Sequence, residues 1–256
     1  MALRLPPMGR LAAALAAALA AALAYAALAL AGQAPGGWRL RTLIHSPAEL
    51  ADAERAAHRS QRLAAFAEEV VTPGGVLFIG SSTIEFFDLA RAFPGGNTIN
   101  RGIGDEPLAA LSERFEESIC RTDCAAVVLY GGSVDLRRLQ RPPAAIARDI
   151  QRLLDDTARQ APRARVLILG ILPEREMPSA MGARIEAANE ALSALAGSRP
   201  LVSFVETSRP PLVQAPSGSL VPGMSMDRLH LNEAGYKEVA SWILDADEDL
   251  ASLLQP

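Results

Sequence analysis

The sequence predicts an α/β fold in which a five-stranded parallel sheet carries helices on both faces. Three observations lead there. Five short apolar runs recur between residues 76 and 205. Helix-length stretches separate them, so strand and helix alternate, an order that calls for crossover connections and therefore parallel strands. The 256 residues are 50% apolar and 21% charged, enough to bury one full core and unlike a disordered or fibrous chain.

The first element stands outside that core. Arg4 and Arg10 precede an uncharged run from Leu11 to Ala31, alanine and leucine throughout apart from Tyr25. The run is long enough to span a bilayer. Its length favours an uncleaved anchor, while its weakly apolar alanines and the small-x-small site Ala29-Leu30-Ala31 suit a cleaved signal peptide. Under either reading residues 1–36 direct export, and the remainder is periplasmic or otherwise extracytoplasmic, with the membrane as a partner through this segment. Residues 37–73 read as a membrane-proximal helical spacer. Ser46-Pro47-Ala48-Glu49 has the capping serine, first-turn proline and closing glutamate of a helix start, and Thr72-Pro73-Gly74-Gly75 breaks the helix that follows. The third segment, 74–256, is the globular domain.

Within that domain the strands are expected at Val76-Leu77-Phe78-Ile79, Thr98-Ile99, Ala126-Val127-Val128-Leu129-Tyr130, Val166-Leu167-Ile168-Leu169 and Val202-Ser203-Phe204-Val205. Helices are expected near 83–92, 106–119, 142–160, 179–197 and 232–252. Cys120 and Cys124 suit a small disulfide across a turn at Thr122-Asp123, which an exported protein can keep. Two cysteines with no neighbouring histidine do not make a zinc site. Twenty-five basic residues against twenty-nine acidic ones, without a basic cluster, argue against a nucleic-acid partner. No phosphate-binding G-x-x-x-x-G-K-[ST] occurs, and Gly102-Ile103-Gly104 lacks the third glycine of a dinucleotide fingerprint.

Ligands of a doubly wound sheet bind beyond the carboxyl ends of its strands. The first strand ends in Gly80-Ser81-Ser82-Thr83, which puts Ser82 at the start of a helix. There it can cap a backbone N–H, or act as a nucleophile if a base is at hand. The chain has three histidines, and His45 and His58 fall in the spacer, so His230 is the candidate base. Asp227, three residues before it, can accept the imidazole Nδ1 proton and leave Nε2 facing the serine; alone, it also reads as a surface aspartate in a capping turn.

Taken together, these segments resemble the SGNH (GDSL-like) hydrolase family over roughly residues 74–250. Gly80-Ser81-Ser82 is similar to its first block, Asn100-Arg101-Gly102-Ile103-Gly104 to its second, and Asp227-Arg228-Leu229-His230-Leu231-Asn232-Glu233-Ala234-Gly235-Tyr236 to its last. The resemblance implies a flavodoxin-like three-layer α/β/α sandwich and a triad of Ser82, His230 and Asp227. It also implies hydrolysis of an acyl ester, often an acetyl ester, of a carbohydrate or lipid. It implies no metal or organic cofactor.

Two positions depart from the family pattern, and both concern the oxyanion hole. The Gly-x-Asn-Asp of block three is here Gly132-Ser133-Val134-Asp135, so valine stands where the family has an amide donor. In block two Asp105 stands where a glycine is usual. The expected hole is therefore the backbone amides of Ser82 and Asp105, with the Ser133 hydroxyl as a substitute donor and the Asp105 carboxylate turned away toward an arginine. A missing donor typically costs about 2.7–4 kcal/mol. The sequence thus carries two functional readings: an exported serine esterase, and a noncatalytic binding or interaction module of the cell envelope on the same fold. The loop 208–226 is expected to wall the pocket beside His230, and oligomeric state is not legible.

Overall fold

Five strands form the expected parallel sheet: β1 (Val76–Gly80), β2 (Thr98–Gly102), β3 (Ala126–Tyr130), β4 (Arg165–Leu169) and β5 (Val202–Val205). Their order is β2-β1-β3-β4-β5. The structure is a computed structural model that describes residues 8–35, 37, 41, 42 and 45–255. β1 and β3 are buried at all five positions, which is why they read as continuous apolar runs rather than as an alternation. Val76 and Phe78 face one core, with Phe87, Val239 and Ile243; Leu77 and Ile79 face the other, with Phe115, Ile150 and Leu192. Gly80 pairs in register with Gly102 and with Tyr130, so the carboxyl ends of β2, β1 and β3 lie side by side.

The chain divides into two compact units, Met1–Ala57 and His58–Pro256. In the first, α1 (Met8–Leu30) contains a stretch, Ala12–Leu30, long and apolar enough to cross a membrane. The next long helix, α2 (Pro47–Glu68), opens with the expected capping box: Ser46 N–H donates to the Glu49 carboxylate at 2.7 Å and Glu49 N–H to the serine hydroxyl at 3.2 Å. The division between the units falls inside α2, ahead of the break at residue 74 that the sequence suggests.

Around the sheet lie α5 (Leu108–Thr122), α6 (Ser133–Arg137), α7 (Pro143–Gln160) and α8 (Ser179–Gly197). Two expected helices are interrupted. The stretch 83–92 is α3 (Ser82–Glu85) and α4 (Leu89–Ala92): the Asn100 amide donates to the carbonyls of Ile84 at 2.7 Å and Phe87 at 3.3 Å, and Asp88 caps the second helix by accepting from Arg91 N–H at 3.1 Å. The stretch 232–252 is α9 (Glu233–Ala246) and α10 (Glu248–Leu254), divided at Asp247, whose extended backbone and carboxylate cap α10 through Leu250 N–H while Arg165 holds the same carboxylate at 2.7 Å. Between β5 and α9 the loop forms a two-residue antiparallel pair, β6 (Val213–Gln214) with β7 (Ser219–Leu220), and a 3-10 turn at Pro222–Met224. Cys124 is buried; the expected disulfide involves the Cys120 side chain, which lies outside the described residues.

Candidate active site

At the end of β1 the chain must pass against β3. Gly80 has φ 154°, and a Cβ there would meet the Tyr130 carbonyl oxygen at 2.0 Å, so only glycine fits. Ser81 follows in extended backbone, and Ser82 is the first residue of α3. The second half of the site comes from 148 residues further on, in a loop closed by its own backbone: Met226 N–H donates to the His230 carbonyl at 3.0 Å, and Ser225 bridges Leu231. Asn232 then caps α9 through Gly235 N–H at 3.1 Å and donates to the Gly223 carbonyl at 2.9 Å.

This loop brings three predicted side chains into line. His230 Nε2 lies 3.0 Å from Ser82 Oγ, and His230 Nδ1 lies 2.7 Å from Asp227 Oδ2. The other Asp227 oxygen accepts from the backbone N–H groups of Leu229 at 2.7 Å and His230 at 2.8 Å. The capping-turn reading and the imidazole-partner reading of Asp227 therefore hold together, one per carboxylate oxygen. Partial burial works to raise the pKa of Asp227. The hydrogen bonds from the His230 side chain and from the two backbone amides outweigh it and hold the carboxyl down at about 2. Ionised, it takes the Nδ1 proton and leaves the Nε2 lone pair to accept from the serine hydroxyl.

The expected oxyanion donors stand at the ends of β2 and β3. Asp105 has φ 56°, the left-handed conformation for which glycine is usual and which aspartate tolerates better than most. Its carboxylate is turned to Arg138, with Oδ1 3.3 Å from Nε, and its carbonyl accepts from the same guanidinium at 3.1 Å. Val134 sits half-buried in the first turn of α6. The Ser133 hydroxyl accepts a hydrogen bond from Arg137, which leaves its own proton available for another acceptor. Asp135 next to them is fully buried and structural: it accepts from Leu108 N–H at 2.8 Å and from Arg141 at 2.7 Å.

The structure adds residues that the sequence reading left in the spacer or on a helix. Glu85, at the end of α3, accepts from Gly104 N–H at 2.5 Å, lies 3.0 Å from His58 Nε2 and lies 3.6 Å from Arg62 Nε. Arg62 also donates to the Gly102 carbonyl at 2.9 and 3.0 Å. Glu106, just beyond Asp105, is buried in a two-pronged pair with Arg114, whose guanidinium also reaches the Arg101 carbonyl at 2.9 Å. Gly102 is needed here because a Cβ would sit 2.1 Å from the Glu85 amide nitrogen. The block-two segment is thus fastened from both sides by carboxylates.

A flavodoxin-like sandwich with a hydroxyl, an imidazole and a carboxylate in line at the carboxyl edge of its sheet has the layout of an ester hydrolase. Residues 84–238 match the GDSL-like lipase/acylhydrolase family, and with more than half of its length matched the chain belongs to that family; it is an enzyme acting on esters. The matched span begins two residues after Ser82 and includes Asp227 and His230. Solved structures share the fold. A protein of Streptococcus pneumonia named for platelet activating factor is 22% identical, with 77% of this chain and 96% of that one covered at a TM-score of 0.67. A GDSL-like lipase of Bacteroides thetaiotaomicron VPI-5482 is 21% identical, covering 79% and 99% at 0.60. A family 3 carbohydrate esterase of Clostridium thermocellum is 16% identical, covering 72% and 100% at 0.52. Among curated proteins none matches.

Proposed function

We propose that the protein is a serine esterase that works through Ser82, His230 and Asp227. The observation that carries this reading is the unbroken chain of 2.7 and 3.0 Å contacts from Asp227 through His230 to Ser82. Ser82 Oγ attacks the acyl carbon as its proton passes to His230 Nε2, and Asp227 holds the imidazolium that forms. The tetrahedral oxyanion is held by the amides of Ser82 and Asp105, with the Ser133 hydroxyl as the further donor in place of the missing asparagine. Collapse breaks the bond to the alkoxy oxygen, which takes the Nε2 proton and leaves as alcohol. Water then repeats the sequence on the acyl-serine and releases the carboxylic acid and free Ser82.

The substrate class in this reading is an acyl ester, acetyl among them, of a carbohydrate or lipid. The domain works outside the cytoplasm, carried there by residues 1–36 as cleaved signal or retained anchor. Labelling by an active-site serine probe, with Ser82→Ala as control, tests the chemistry; absence of Ser82-dependent labelling and turnover overturns it in favour of the noncatalytic module. A C-terminal reporter fusion tests the location, and activity confined to a cytoplasm-dependent reporter overturns that part.

A further inference from the structure

A cavity of about 790 Å³ opens beside His230, within the size range of sites that enclose organic ligands. Its floor is apolar and lies between α9 and the turn that separates α3 from α4: Phe87, Leu231, Tyr236 and Ala240 line it. Phe86 and Met226 also line it, and each is tied to His230. The Phe86 ring packs edge-on to the imidazole at 5.0 Å between centroids, and Met226 N–H bonds the His230 carbonyl. Both side chains are exposed, Phe86 at 47% and Met226 at 55%. Two large apolar side chains left in water near a base have no packing role there that the core explains, and they suit contact with a ligand.

We infer that this cavity binds the apolar leaving alcohol of the ester, not its acyl group, so that the enzyme selects esters by the chain on the alkoxy oxygen. The inference rests on the proposed serine mechanism and extends it to the substrate. Proton return fixes the side. The oxygen that leaves must take its proton from His230 Nε2 and must therefore lie against the imidazole, the ring on which Phe86 packs, and Phe86 also lines the cavity. Apart from the Ser82 amide, the oxyanion candidates come from elsewhere, the loop after β2 and the start of α6 after β3. Charged groups, including an Arg91–Glu233 pair and Lys237, stand at the cavity's margin, so an amphiphilic alcohol can keep its polar end wet while its chain fills the floor.

Two ester series on the full-length protein test this: acetates of ethanol, butanol and octanol, and p-nitrophenyl esters of acetic, butyric and octanoic acid. The expected result is a kcat/KM that rises at least about tenfold from butyl to octyl acetate, with no comparable rise along the acyl series. Ala240→Phe, which fills the floor, should bring the octyl-to-butyl ratio toward one. Because that variant risks misfolding, the wild-type protein provides a second reading: octan-1-ol should inhibit competitively at lower concentration than octanoate. Ser82-dependent turnover that is flat along the alcohol series, or that rises along the acyl series instead, overturns the inference while leaving the esterase reading in place. No Ser82-dependent turnover of any ester removes both.

Discussion

Ser82, His230 and Asp227 are held by contacts between a strand end and one short loop, whereas the Gly102–Gly104 segment is held by Glu85 and by Arg62 of α2, a helix that precedes the sheet. The first arrangement needs only a strand end, a glycine and an Asp-x-x-His turn. The second needs Arg62 to arrive from 40 residues away at the carbonyl of Gly102, and His58 from 27 residues away at Glu85. The difference separates a part of the site built from a strand end and one turn from a part that a helix preceding the sheet must brace. It also places Asp105, with its left-handed backbone, at the edge of the second part, while Val134 belongs to α6.

The largest expected effect breaks the first half alone. Ser82→Ala should lower kcat by at least about 10³-fold without lowering the melting temperature appreciably, because the hydroxyl makes one contact and the helix start does not depend on it. The same half predicts that Asp227 gives no acid limb in the ordinary carboxylate range, because its carboxyl is held down at about 2 and stays ionised there. Its contribution to stability is complete above that range and is lost progressively as pH falls from there through about 2. An acid limb near pH 4 in kcat/KM would show that the carboxylate is not held as described.

Next in size is an increase. Val134→Asn puts an amide at the start of α6, where the family resemblance implies one, and turnover should rise by up to about 10²-fold if that amide reaches the oxyanion. The rise should vanish in the Ser82→Ala background. An unchanged rate in a folded Val134→Asn protein points to a donor already in place, and Ser133→Ala then distinguishes it: a loss of about tenfold or more assigns the role to the Ser133 hydroxyl.

Much of the sheet and the first half of the site is legible in the sequence for a physical reason. Buried parallel strands are apolar on both faces, so Val76 to Ile79 and Ala126 to Tyr130 stand out, and the rule that ligands bind past strand ends leads to Ser82. His230 follows by elimination. The second half is not legible because its partners are polar residues on a charge-mixed helix, a pattern that reads as solvated surface. Nothing local in His58-Arg59-Ser60-Gln61-Arg62 says that it will meet Glu85. The breaks after Glu85 and at Asp247 were hidden for the same reason, since Asn100 and Arg165, which fix them, lie on other elements.

Glu85→Gln sharpens the comparison at a smaller scale. One oxygen remains to accept from Gly104 N–H, but the charge that draws in Arg62 and His58 is gone. The segment should loosen by a fraction of an ångström, lowering kcat by about tenfold with KM nearly constant, because the loss falls on transition-state positioning rather than on ground-state binding. A change confined to KM would mean that Glu85 shapes the substrate pocket instead.

The smallest effect isolates α2. His58 is partly exposed and makes one contact, with Glu85 at 3.0 Å, so His58→Ala should lower kcat only about threefold, the scale of a single hydrogen bond at a half-exposed site. A merely structural role would appear as a lower melting temperature with kcat per folded molecule unchanged. Positioning would appear as the reverse, and His58→Gln, whose amide can donate to the same carboxylate, should restore most of the rate. If neither substitution changes kcat, the hold of α2 on the site rests on its arginines, Arg62 on the Gly102 carbonyl and on Glu85, and Arg59 on Glu106.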